Sequence, residues 1–338
     1  MKEIALFPIF KTLNRKKIWN FIKTELSLVF SKILKKTVIW GKPYILTIEP
    51  SSICNLRCPL CAVGAGRLSR TQGFLDLSIY QNVLDDLGDT LIELLLFNQG
   101  EPFLHPQLLE MVKFAQAKRI YTTISTNGYF LDDETQLKAL VKSGLNVLIV
   151  SLDGASEVTY QKYRQNGDFH KVVNGLRKLQ QMKQKQAASV PQVFIQFLVM
   201  QHNEHEMDEI RRLGAEVGAA RVLYKSLQVE QAHEAEKYLP ETSGFRRYFF
   251  ENGRMKLKRA KEITCQRLWR SSVVLSDGSV VGCCFDKDAQ YILGNLTETN
   301  FSQIWHASKY ERFRNRSLQK RTISHLCANC TEGVKIYY

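Results

Sequence analysis

No stretch of this 338-residue chain approaches the ~18 consecutive apolar residues of a membrane-spanning helix, which leaves a soluble or membrane-peripheral protein as the expectation. No secretory leader is read at its start, and there is no internal repeat and no low-complexity tract. Without a leader the expected setting is cytoplasmic, where thiols stay reduced and disulfides are rare; a chain of this length also needs no covalent staples for its core. A more local absence says more. Between residues 40 and 75 there is no histidine and no cysteine beyond Cys54, Cys58 and Cys61, and the first acidic residue after them is Asp76. A closed zinc site needs four ligands, and this loop cannot complete one locally.

What is present is the run Cys54-Asn55-Leu56-Arg57-Cys58-Pro59-Leu60-Cys61, directly after an extended apolar stretch at 44–49. Three thiolates on so short a loop suit three irons of a 4Fe-4S cluster, and the fourth iron is left for a ligand that is not protein. Zinc remains the alternative, since it is the commoner outcome for short cysteine clusters in intracellular chains.

The chain carries a net charge of +14, unevenly placed. Residues 1–42 hold ten Lys or Arg against Glu3 and Glu25, a net +8. Within them Ile18, Ile22, Leu26, Val29, Phe30 and Ile33 recur at helical steps, with Trp19 alongside and lysines at 16, 17, 23, 32, 35 and 36. This pattern predicts a basic amphipathic helix. Two placements follow: flat in an anionic membrane interface at the inner face of the membrane, or with the same stripe packed on the body of the protein. Nucleic acid is the weakest partner, because the excess is local and no binding module accompanies it.

Beyond the cysteine loop, short apolar runs at 91–98, 120–126, 147–153, 193–199 and 221–226 alternate with helix-period stretches at 79–87, 106–117, 132–143, 170–185 and 204–217. With 44–49 these make six βα units and predict an α/β fold with parallel strands under covering helices. The stretch 183–191 reads as an exposed connection and 230–255 as a charged, irregular bridge. The expected domains are an N-terminal helical segment at 1–42, an α/β core at 43–230 and a small C-terminal domain at 231–338.

The other five cysteines lie late: Cys265, Cys283, Cys284, Cys327 and Cys330. Two separated thiols followed by a C-x2-C pair suffice to close a four-ligand site, for zinc or for iron and sulfide. The run Ser276-Asp277-Gly278-Ser279-Val280-Val281-Gly282-Cys283 reads as a hairpin turn that delivers one of these thiols.

The first cysteine run, followed in order by Asn98-Gln99-Gly100-Glu101-Pro102, Ser125-Thr126-Asn127-Gly128 and Ser151-Leu152-Asp153-Gly154, resembles the motif series of the radical S-adenosylmethionine (SAM) superfamily over residues 44–230. The late cysteines, with Asn295-Leu296 and Ile304-Trp305, resemble its SPASM extension. The resemblance implies a partial (β/α)6 TIM-like barrel with a small Fe-S domain, preceded here by the basic helix, and motifs gathered at strand ends as in α/β barrels generally. It implies that Cys54, Cys58 and Cys61 ligate the catalytic 4Fe-4S cluster. Gly100 and Glu101 approach the SAM amino group, Ser151 and Arg164 its carboxylate, and Ser125, Asn127 and Asn203 its ribose. It also implies an auxiliary 4Fe-4S cluster on Cys265, Cys283, Cys327 and Cys330. Cys284 is then spare or a replacement for its neighbour. Full SPASM domains carry further cysteines after the C-x2-C pair; no cysteine follows Cys330 here, so one auxiliary cluster is expected. Leu60 stands where the family often has an aromatic residue, which weakens adenine stacking and leaves iron binding intact.

The activity so implied is reductive cleavage of SAM to a 5′-deoxyadenosyl radical, then hydrogen abstraction from a peptide, sugar or lipid-linked substrate in a net oxidation. An external electron donor such as flavodoxin or ferredoxin would feed the first cluster. The alternative is a non-catalytic, metal-stabilised binding or electron-transfer protein, peripheral to a membrane.

Overall fold

The structure, a computed structural model, describes residues 10, 12–242, 244–258, 265–319 and 325–330. Residues 1–9 and 11 of the expected N-terminal segment and 331–338 of the C-terminal domain lie outside the described residues. The chain divides into two compact units: Met1–Ile53, Leu68–Ile124 and Ile263–Cys330 form one, and Cys54–Arg67, Ser125–Glu262 and Thr331–Tyr338 the other.

The first unit opens with helix α1 (Arg15–Leu34), capped by the Asn14 side chain, which accepts from Lys17 N. Strand β1 (Ile45–Ile48), helix α2 (Leu77–Leu87), strand β2 (Glu93–Leu96), helix α3 (Leu108–Ala117) and strand β3 (Tyr121–Thr126) follow. β1 pairs in parallel with β2, with Ile45 opposite Glu93, and β2 with β3, with Glu93 opposite Tyr121. Helix α2 likewise starts where a short side chain caps the backbone, Asp76 accepting from Ser78 N. The division between the units falls within β3, between Ile124 and Ser125.

The second unit continues with α4 (Glu134–Lys142), β4 (Val147–Ser151), α5 (Glu157–Tyr163), α6 (Phe169–Lys185), β5 (Gln192–Val199), α7 (Met207–Glu216) and β6 (Arg221–Ser226). β4, β5 and β6 are parallel, with Val147 opposite Gln192 and Phe194 opposite Arg221. All five residues of β4 are buried. A strand covered on both faces loses the polar alternation of a half-exposed one, which is why 147–150 is a continuous β-branched and leucine run. The bridge at 230–255 is more ordered than its charge suggests: it forms α8 (Ala232–Tyr238) and begins a hairpin of β7 (Tyr248–Glu251) and β8 (Arg254–Leu257).

The chain then re-enters the first unit through α9 (Arg267–Arg270), β9 (Ser271–Val274), β10 (Ser279–Val281), β11 (Ile292–Asn295), α10 (Phe301–His306), α11 (Ser308–Gln319) and α12 (His325–Ala328). The hairpin expected at 276–283 is present as the antiparallel pair β9–β10. β9 also pairs in parallel with β1, Ile45 opposite Ser271, so the C-terminal segment extends the sheet of the first unit in the order β11-β10-β9-β1-β2-β3. A buried Arg314 fixes this corner. Its Nε donates to Leu268 O at 2.9 Å and its Nη1 to Trp305 O at 2.9 Å, while the guanidinium sits 4.0 Å from the Trp305 ring and 3.8 Å from that of Tyr310. Burial lowers its pKa to about 10, so the side chain stays cationic at neutral pH.

Candidate metal centres

In the second unit the loop after residue 53 presents Cys54 and Cys61 half-buried and Cys58 buried. All three pack with one apolar cluster that includes Leu56, Tyr163, Met200 and Tyr238. The loop is tied at several points. Cys61 N donates to Cys58 O at 3.1 Å, Arg57 N to Gln165 O at 3.0 Å, and Leu56 N points at Cys54 Sγ at 3.4 Å. Asn127, at the end of β3, donates to Asn55 Oδ1 at 2.8 Å with Cys54 Sγ 3.9 Å away, and its own Oδ1 accepts from Tyr129 N. Burial pushes the Cys58 thiol up to about 11, against the pull of Arg164, whose Nη1 lies 4.0 Å from Cys58 Sγ.

Arg164 closes α5 and is aimed by Asp153: its Nε donates to Asp153 Oδ2 at 2.6 Å. Asp153 is fully buried, and its Oδ1 accepts from Leu198 N at 2.7 Å. Asn203 sits behind it with its amide engaged on three backbone groups, accepting from Met200 N and donating to Asp153 O and Leu198 O. Ser151 ends β4 opposite Gln196, and Ser125 lies in β3.

In the first unit, the segment after β2 turns at Gly100, with φ at +71°; a Cβ there would stand 2.4 Å from Ser51 O and 2.8 Å from Ile53 O. Only glycine fits so close a backbone approach. Glu101 follows, almost fully buried, its N donating to Ile53 O at 2.8 Å and its Oε1 accepting from Phe103 N. Beneath this turn Glu49, buried at the end of β1, takes both oxygens to Arg70 Nη2 at 2.6 and 2.7 Å. It also accepts from Asn98 Nδ2, Gln99 N and Ser276 N.

The late cysteines also lie in the first unit. Cys265 precedes α9 and packs with Leu28, Leu268 and Trp269; burial pushes its thiol up to about 11, and the Cys330 thiol adds to the shift. Cys283 follows β10. A hydrogen bond with Cys284 and burial raise its thiol well above the usual range, and Cys265 contributes. Cys284 packs with Val273, Leu275 and Val281, with Arg267 Nη1 4.0 Å from its sulfur. Cys330 N donates to Cys327 O at 3.3 Å. Among the described residues no group of three or more His, Cys, Asp or Glu is drawn together tightly enough for one metal ion.

Of the residues expected from the motifs, Cys54, Cys58, Cys61, Asn127, Arg164 and Asn203 come together in the second unit, and Gly100 and Glu101 meet in the first with the Glu49 pair. Asp153, Glu49 and Arg70 were missed. Asp153 stood inside the motif at 151–154, but its partner is eleven positions on, at the far end of a short helix; nothing local joins Glu49 to Arg70.

Two sulfur-rich centres on an α/β frame are the mark of a thiolate metalloprotein. Comparison with known proteins narrows this: residues 48–214 match the radical SAM superfamily and residues 265–331 the SPASM iron-sulfur cluster-binding domain. The chain belongs to the radical SAM superfamily and is an enzyme whose cofactors are SAM, a 4Fe-4S cluster and an auxiliary Fe-S cluster. The non-catalytic alternative is thereby corrected. The chain is 24% identical over 321 residues to the tungsten-containing aldehyde ferredoxin oxidoreductase cofactor-modifying protein of Pyrococcus furiosus, covering 85% of this chain and 86% of that protein. It is 29% identical over 177 residues to the mycofactocin maturase MftC of Mycobacterium ulcerans, covering 52% of this chain and 46% of that one. Thus the match takes in less than half of that maturase. The fold is similar to that of SuiB from Streptococcus suis, solved with S-adenosylmethionine, at a TM-score of 0.63 and 13% identity, covering 86% of this chain and 71% of that one.

Proposed function

We propose that the protein cleaves SAM reductively and uses the resulting radical for a net two-electron oxidation of a peptide, sugar or lipid-linked substrate. The observation that carries this is the partition of the cysteines: a three-thiol loop in one unit and five thiols in the other. The first set suits a cluster with an open iron and the second a fully ligated cluster. When bound, these groups supply a one-electron reductant for SAM, a 5′-deoxyadenosyl radical able to take hydrogen from an unactivated carbon, and a sink for the second electron.

The protein's own residues hold and orient. Cys54, Cys58 and Cys61 are the proposed ligands of the first cluster, and Cys265, Cys283, Cys327 and Cys330 of a single auxiliary one. Asn127 pins the first thiol loop through Asn55. Gly100 and Glu101 offer a carbonyl and a carboxylate of the kind that receives an ammonium. Ser151 and Arg164 are assigned to the SAM carboxylate, which a guanidinium fork suits; Asp153 fixes the fork's direction. Ser125 is assigned to the ribose. Asn203 serves the same site by bracing the backbone around Asp153. The chemistry calls for reduced thiolates and an external donor of the flavodoxin or ferredoxin kind, conditions that the cytoplasm supplies.

One relative, from Gluconobacter oxydans and 28% identical over 185 residues, is named a PqqA peptide cyclase, which favours a peptide over a sugar. The test is anaerobic turnover with SAM, dithionite and a short peptide encoded beside this chain. The reading expects 5′-deoxyadenosine and a product two hydrogens lighter by mass spectrometry. An unchanged peptide mass alongside 5′-deoxyadenosine would remove the peptide, and release of methionine without 5′-deoxyadenosine would remove the radical reading.

A further inference from the structure

Helix α1 is packed the opposite way round from an ordinary amphipathic helix. Apart from Leu28, its inward side is polar, with Lys17, Asn20, Thr24, Ser27 and Ser31 buried. These groups are matched one by one to the body. Asn20 Nδ2 donates to Lys42 O at 2.9 Å and its Oδ1 accepts from Lys42 N at 2.8 Å; Thr24 Oγ1 donates to Lys42 O at 3.0 Å. Trp40 N donates to Ser27 Oγ, Trp269 Nε1 to Ser31 Oγ, and Lys17 Nζ to Arg119 O. A buried donor or acceptor left without its partner is costly, so the helix cannot roll to hide its other side without breaking several of these bonds at once.

That other side is apolar and faces outward. Trp19 is 58% exposed, Ile33 69% and Trp40 50%, and Ile18, Leu26 and Val29 lie in the open between them. At about 100° per residue, Lys16 and Lys23 border this stripe on one side and Lys32 on the other; Lys35 and Lys36, both exposed, follow its end. The helix's only acid, Glu25, is turned to Arg270 and Tyr44. No helix among the described residues is long and apolar enough to cross a membrane.

We propose that this face docks the protein on an anionic lipid bilayer, with α1 lying in the interface and its cations against lipid phosphates. The occupant is assigned by charge and shape together: a broad apolar strip edged by lysines on both sides matches acyl chains beneath a negative headgroup layer. Trp19 and Trp40 are of the residue type that settles at that boundary. The inference is independent of the substrate proposed above.

The test is flotation of the full cluster-loaded protein with phosphatidylcholine vesicles, with and without roughly 30 mol % phosphatidylglycerol. The comparison is the variant Trp19→Ser/Leu26→Ser/Ile33→Ser, whose three side chains are solvent-exposed. The expected result is flotation with anionic vesicles only, lost at ~1 M salt and weakened at least about tenfold in the variant. Trp269 and Trp305 are fully buried, so quenching by brominated lipid reports Trp19 and Trp40; it should be strong in the wild type and reduced in the variant. Equal flotation of the two proteins, no flotation of either, or a stable dimer of the wild type that the variant converts to monomer would each overturn the proposal.

Discussion

Arg164 and Asp153 form a buried pair, 2.6 Å from Nε to Oδ2, that leaves the far end of the guanidinium 4.0 Å from the Cys58 sulfur. The carboxylate is fully buried and holds the arginine beside the thiol loop. Replacing Asp153 by Ala leaves that cation buried without its counter-ion. The expected loss is about 3 kcal/mol of stability together with at least tenfold slower SAM cleavage. Chemical denaturation and a 5′-deoxyadenosine assay check the two effects separately, and normal turnover in a destabilised variant would confine the pair to a structural role.

Glu49 and Arg70 make the equivalent test in the first unit. Both are nearly inaccessible, and the same carboxylate also holds Gln99 N, directly before Gly100. Glu49→Gln should cost roughly 3–5 kcal/mol and weaken SAM binding measured by equilibrium dialysis. Unchanged SAM affinity would separate this network from the cofactor.

Gly100 and Gly253 share a φ of +71°, but a Cβ at Gly253 meets nothing within 4 Å. Gly253→Ala therefore carries only the backbone strain of about 1–2 kcal/mol. Gly100→Ala adds the clash with Ser51 and Ile53 and should lose more than about 3 kcal/mol as well as SAM cleavage. Thermal unfolding of the two variants side by side decides this, and equal losses would mean that the close approach does not matter.

Glu93, opposite Tyr121 in the sheet, is buried with Oε1 unpaired, and burial pushes its carboxyl up to about 7. Its folded-state pKa lies above the ordinary value of 4.5, so the unfolded chain gives up its proton first as pH rises. The contribution of the neutral acid to stability is thus complete below 4.5 and lost between there and about 7. Glu93→Gln should stabilise the protein above pH 7 by up to about 3 kcal/mol and leave it unchanged near pH 4.5. Denaturation midpoints across this range check the sign.

Much of the frame was legible in the sequence because its signal is local. Runs at 120–126 and 221–226 coincide with β3 and β6, and the helix-period stretch at 170–185 lies within α6. The parallel pairing of β9 with β1 was not legible, since two strands more than two hundred residues apart share no local pattern. The hairpin β7–β8 was hidden by charge, as outward-facing Lys256 and Arg254 can border a two-stranded ribbon as readily as a loop. For α1 the periodicity was visible and its direction was not. Ser27 and Ser31 look like the solvent side until Trp40 and Val38 are seen to bond them. At the first thiol loop the spacing named the sulfurs, but not the buried Asp153 that aims Arg164 beside Cys58.

Between Cys283 and Cys284 the proposed ligand is the first. Cys284→Ser should keep the auxiliary cluster, whereas Cys283→Ser should lose about four irons, both read by iron analysis and electron paramagnetic resonance. The reverse pattern would exchange the two assignments.

Cys54, Cys58 and Cys61 are the proposed ligands of an iron cluster separate from the one on the late cysteines. Iron content after oxygen-free reconstitution of the wild type and of Cys54→Ala/Cys58→Ala/Cys61→Ala tests this most directly. The expected values are about eight and about four irons per chain, with 5′-deoxyadenosine formed only by the wild type; equal iron in both, or SAM cleavage that survives the triple substitution, would contradict the account.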